Sequence, residues 1–172
     1  AAPVRGVVQL DHTGAVDGGF TPTDLGAGTA IYAVAYDGPK PLLGGAFTNA
    51  TTTNFVRLTA GGAVDRGFAV IGAPVRAVLV DGSDYVLGGD FTSVAGGARL
   101  ALAKVSNAGV INSFDAGVVG SGPAVHALVL DGTNYVVAGT FTTVGGSSRT
   151  NIARVLPTGG MDASFNPGSA AN

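Results

Sequence analysis

The chain has 172 residues, a formal net charge of −2 and only 12% charged residues. Its basic residues are few and scattered, whereas a nucleic-acid surface needs clustered Lys and Arg, so that partner is excluded. No cysteine is present, which removes disulfides and thiolate metal sites, and no apolar run approaches the roughly 18 residues of a membrane span.

There is no glutamate, and lysine occurs only at positions 40 and 104, so two strong helix formers are almost missing. Valine, threonine and 29 glycines take their place, a composition for strands and tight turns. The expected class is all-β. The opening Ala-Ala-Pro suits a chain whose signal peptide has been removed. Low charge with abundant Thr, Asn and Gly suits an extracellular structural protein.

In chain order, residues 1–20 read as a partial repeat. "VRGVVQLDHTGAVDGGF" aligns with the last two strands, c and d, of the units that follow. Repeat 1 covers 21–68. An apolar strand a, "AIYAVAY", leads into the Asp37-Gly38 turn, strand b ends in "GGAFT", and strand c is "FVRLT". Repeat 2 covers 69–114, with "PVRAVLV", the Asp81-Gly82 turn, "GGDFT" and "LALAKVS" in the same places. Repeat 3 covers 115–165, with "AVHALVL", Asp131-Gly132, "AGTFT" and "NIARVL". Residues 166–172 form a tail or the start of a further repeat.

A phenylalanine closes each unit: Phe20, Phe68, Phe114 and Phe165, at spacings of 48, 46 and 51 residues. Asp-Gly predicts a tight reversal, because Gly accepts positive φ at little cost. The paired small residues of strand b predict a bulge or the close approach of a neighbouring backbone.

Four short antiparallel strands in some 48 residues make one β-propeller-like blade. Strand a is expected innermost and covered on both faces, and the closing phenylalanines are expected to fill the space between blade sheets. About three and a half repeats are fewer than the 4 to 8 blades of typical propellers, so the ring is expected to be incomplete within one chain. Open edges of this kind are completed by self-association or by a larger parent protein.

"DYVLGGDFTSVAGGARLALAKVSNAG" resembles the delta-60 repeat, and "NYVVAGTFTTVGGSSRTNIARVLPTGGMDASF" resembles it most fully. The resemblance implies a propeller-like fold in large bacterial secreted and surface proteins, generally without an assigned activity. Repeat 1 departs from the pattern with "PKPLL" in strand b and "NATTT" in its loop, and repeat 2 has Ile111 where Asp17, Asp65 and Asp162 recur.

Candidate sites are sparse. Tyr32, Arg76 and His126 interrupt strand a at one repeat position and are the candidate ligand-binding residues, at the mouth of a central channel. His12 reads as a solvated turn residue. Arg57, Lys104 and Arg154 share a strand c position, with Gln9 in the partial unit, and are expected to pair within the blade with the recurring Asp. Phe47, Phe91 and Phe141 are structural repeat positions in the "FT" run.

Arg99 and Arg149 precede strand c, and Asp84 and Asp90 flank strand b of repeat 2. With no glutamate, paired-carboxylate catalysis has little material, and no catalytic residue, metal or cofactor is assigned. The expectation is a non-enzymatic structural or adhesive surface protein that self-associates. A carbohydrate- or small-ligand-binding propeller, with a surface glycan at the strand a mouth, is the alternative.

Overall fold

A computed structural model describes residues 6–26, 28–49, 52–68 and 71–167. The opening Ala-Ala-Pro, two residues of the "NATTT" loop and most of the tail lie outside them. Among the described residues every element is a β-strand. Blade one contains β1 (Ala30–Asp37), β2 (Lys40–Thr48), β3 (Thr53–Leu58) and β4 (Val64–Gly67), antiparallel and hydrogen-bonded in that order. Blade two contains β5 (Val75–Asp81), β6 (Asp84–Gly89), β7 (Ser93–Val94), β8 (Gly97–Ala98) and β9 (Leu102–Ser106). Its main sheet is β5-β6-β9. Blade three repeats this with β10 (Ala124–Asp131), β11 (Asn134–Thr140), β12 (Thr143–Val144), β13 (Ser147–Ser148) and β14 (Ile152–Val155), joined as β10-β11-β14. The all-β, propeller-like architecture expected from the repeat is the one observed.

The Asp-Gly reversals form as expected. Gly38, Gly82 and Gly132 have φ of 59°, 61° and 63°, while the residue after each is not left-handed, as a type II′ hairpin requires. Strand d is shorter than expected. Only blade one has it as a strand; in blades two and three it shrinks to the bridges Val105↔Ile111 and Val155↔Met161. There β7–β8 and β12–β13, each a two-residue ladder, fold the loop between strands b and c back on itself.

Each blade carries a bulge on strand a, and in blade one strand b is irregular too, its pairing with strand c shifting between Gly44 and Thr48. In each blade the register with strand b shifts by one residue, leaving Tyr32, Arg76 or His126 unpaired. The two small residues opposite have separate causes. A side chain on Gly45, Gly89 or Gly139 would run into the backbone carbonyl of Ala30, Pro74 or Ala124. The preceding glycine serves the next blade. A Cβ on Gly44 would lie 2.7 Å from Val75, and one on Gly88 2.7 Å from Val125.

The cores lie between blades. One joins Phe20, Leu25, Leu43, Phe47, Val56 and Leu58; a second joins Phe55 and Phe68 to Val75, Leu87 and Phe91; a third joins Val86 and Phe114 to Val125, Val137 and Phe141. Each therefore takes the closing Phe of one unit and the "FT" Phe of the next. Burying one such ring stabilises by roughly 1.5–3 kcal/mol. Phe20, Phe68 and Phe114 are at most 6% exposed, as expected for rings between sheets. Phe165 is only partly buried.

Strand a is covered on both faces only in blade two. Tyr32, Val34 and Tyr36 are about half exposed on β1, and Val129 is 61% exposed on β10. No described residue lies over the outer face of blade three, while that of blade one meets only the partial unit, whose Val8 and Gln9 share a groove with Val34, Tyr36 and Pro41.

Candidate functional site

In blades two and three the bulge aims the unpaired side chain of strand a toward the end of its own strand b. In blade two, Arg76 meets Asp90 through two parallel bonds, Nε to Oδ1 and Nη2 to Oδ2, both 2.6 Å. This fork-on-fork contact holds the Arg76 guanidinium, whose pKa is raised first by the bond to Asp90. Its Cζ also lies 5.1 Å from the Tyr32 ring centroid, so blades one and two meet here through a cation–π contact.

His126 Nε2 lies 3.4 Å from Thr140 Oγ1 in its own blade. Tyr32 and Arg76 are thus brought together, and His126 is held separately. Arg76 already has a carboxylate and an aromatic face, so its charge is spoken for.

The shared strand c position does more than pair within the blade. Arg57 Nε donates to Asp65 at 2.6 Å and Arg154 Nε to Asp162 at 2.9 Å, the expected intrablade pairs. Arg57 Nη1 also donates to the hydroxyl of Tyr85 in blade two, at 2.6 Å. That hydroxyl donates in turn to Asp37 at 2.5 Å, and Arg57 reaches the same carboxylate at 3.3 Å. The next interface repeats this: Lys104 Nζ lies 3.1 Å from Tyr135 Oη and 2.6 Å from Asp81, and Tyr135 donates to Asp81 at 2.5 Å.

The interfaces between blades one and two and between blades two and three therefore each carry a triad of cation, tyrosine hydroxyl and turn aspartate, two members from one blade and the hydroxyl from the next. The signal was in the sequence: Asp37, Asp81 and Asp131 recur without exception, and Tyr85 and Tyr135 stand four residues after the last two Asp-Gly aspartates. Assigning those aspartates to turn geometry alone concealed it.

Electrostatics follow from the triads. Burial, then the bond to Asp37, raises the Tyr85 pKa; burial, then the bond to Asp81, raises that of Tyr135. Burial pulls the Lys104 ammonium down, but its bonds to Asp81 and Tyr135 outweigh this and carry it up. The same contacts, Lys104 first, hold the Asp81 carboxyl below its ordinary range. Lys104 also lies 3.5 Å from Asp84, so it bridges these two carboxylates. Among the described residues no group of His and Asp is arranged to hold a metal ion.

The paired arginines before strand c differ between blades. Arg99 braces strand d of blade two, donating to the carbonyls of Phe114 and Asn112, each at 2.9 Å. Arg149 reaches Ser148 O, and its buried Nε has no hydrogen-bond partner among the described residues.

Residues 42–68 and 134–165, in blades one and three, match a domain of unknown function, the DUF5122 β-propeller family of delta-60 repeats. These segments are delta-60 repeats. The matches run from strand b through the closing phenylalanine, so in blade three the delta-60 unit includes Tyr135, Arg154 and Asp162. Among curated proteins none matches the chain. No helix among the described residues is long and apolar enough to cross a membrane.

Proposed function

We propose that this delta-60 chain is a non-enzymatic structural or adhesive element of a bacterial cell surface, built to be completed by further blades. One observation carries the reading: the outer face of blade three carries the groups that the two inner interfaces bury. Val86 and Leu102 are at most 1% exposed, while their counterparts Val136 and Ile152 are open on one side. Such faces are an association liability unless covered. Low charge and the Thr/Asn/Gly loops support an extracellular setting.

The completing blades come from copies of the chain or from a larger parent protein. Gel filtration of native host extract with an antibody to the chain, beside labelling of intact cells, tests the reading. The expected result is surface label and elution far above 16.8 kDa. A free cytoplasmic monomer overturns it.

A further inference from the structure

Blade three holds two thirds of a triad. Arg154 Nη1 donates to Asp131 at 3.0 Å on the outer face, in the arrangement Arg57 and Asp37 adopt in blade one. The Asp131 side chain is 51% exposed, against 33% for Asp37 and 32% for Asp81, each of which accepts a tyrosine hydroxyl from the next blade. The ring contacts match this. Phe68 and Phe114 carry Tyr85 and Tyr135 edge-on, with centroids 5.8 and 5.7 Å away, while Phe165 carries the Arg154 guanidinium 5.3 Å from its centroid.

Beside this lies a steric difference. Where Gly44 and Gly88 admit the valine of the next strand a, blade three has Ala138.

We propose that the outer face of blade three receives a β-hairpin of this same repeat with two stated features. It carries tyrosine four residues after its Asp-Gly aspartate, with the hydroxyl bridging Arg154 and Asp131. It carries a residue no larger than alanine at the position of Val125, to clear the Ala138 methyl.

A second copy of the chain does not qualify. Its Tyr85 and Tyr135 hairpins are buried against their own neighbours, and its remaining hairpin has Pro41 at the tyrosine position and Ile31 at the valine position. Consistently, the strand c residue facing Pro41 is Gln9, so that interface lacks hydroxyl and cation together. This inference rests on the proposed completion by further blades and names which blade fits.

The test replaces residues 166–172 with a fourth unit copied from 115–165, in three versions: Val125 of the copy retained, Val125 of the copy changed to Ala, and that change combined with Tyr135→Phe in the copy. Hydrogen exchange at Val136 and Ile152 reads docking. The alanine version is expected to slow exchange at least tenfold more than the valine version, and the added Tyr→Phe change to return about tenfold or more of that protection. Asp131→Asn in the parent part is expected to do the same.

Equal protection with and without the hydroxyl overturns the triad inference and leaves completion by blades standing. No protection from any version overturns both. Concentration-dependent protection of Val136 in the unextended chain overturns the exclusion of a second copy.

Discussion

The interface between blades two and three and the outer face of blade three are built from the same repeat positions, yet only one is closed. In the closed one, Lys104, Asp81 and Tyr135 form a triad beside a core in which Val86, Val125 and Tyr135 are fully buried. In the open one, Arg154 turns to its own blade, bonding Asp131, Asp162 and Ser164 and lying over Phe165. A repeat side chain thus takes its role from its neighbour. The same cation is an interface residue in one blade and a surface residue in the next.

Substitutions can break that comparison, beginning with the most damaging. Gly88→Ala should cost about 2–3 kcal/mol, since its methyl meets Val125 2.7 Å away in a filled core. Ala138→Gly, at the matching open position, should cost at most about 1 kcal/mol, from backbone entropy. Urea unfolding compares the two, and equal losses would remove the distinction between closed and open faces.

Next, Tyr135→Phe should cost about 2 kcal/mol, because it leaves Asp81 and Lys104 without the hydroxyl they share. Arg154→Met should leave the urea midpoint nearly unmoved.

The third expectation concerns pH. Tyr85 and Tyr135 have folded pKa values above that of an unfolded tyrosine, about 10. Their contribution is complete below that value and is lost as pH rises through the folded pKa, because the unfolded chain releases those protons first. Lys104 acts in the same direction. Urea midpoints should therefore fall above about pH 10, and less steeply in the Tyr85→Phe, Tyr135→Phe double variant.

Smaller effects sharpen the contrast. Asp90→Ala breaks the half-buried bidentate pair with Arg76, and solvent screening limits its cost to no more than about 1 kcal/mol in thermal melts. Ala95→Gly should stabilise by about 0.5–1 kcal/mol, because Ala95 sits at φ 53° where blade three has Gly145.

Much of the fold was legible in the sequence because period, turn and core residue coincide. Asp-Gly fixed each hairpin, and the closing phenylalanines marked the three cores. Strand d was over-read, since Ile111 and Met161 make one bridge each where a strand was expected. Of the bulge or close approach that the glycine pairs signal, the close approach lies at strand b, while the bulge common to all three blades lies on strand a, because glycine pairs do not say which side moves.

The interblade hydroxyl stayed hidden for a different reason. Tyr85 meets Asp37, 48 residues earlier, and only the stacking of blades brings such positions together. A left-handed position was equally invisible: Asn54, Ala101 and Asn151 all have φ near 60°, yet Ala101 gives no hint of it.

The sharing of each core between successive units has a consequence for synthesis. A ribosome delivers the chain N-terminus first, so blade one can pair its strands while blade two is still being made, but its Phe55–Phe68 side stays wet until Tyr85 emerges. Each unit is then both the product of the preceding folding step and the template for the following one, as in other nearest-neighbour arrays. A pause in translation just after Phe114 would hold an unfinished apolar face in water, and that interval is when wrong pairing has its best chance.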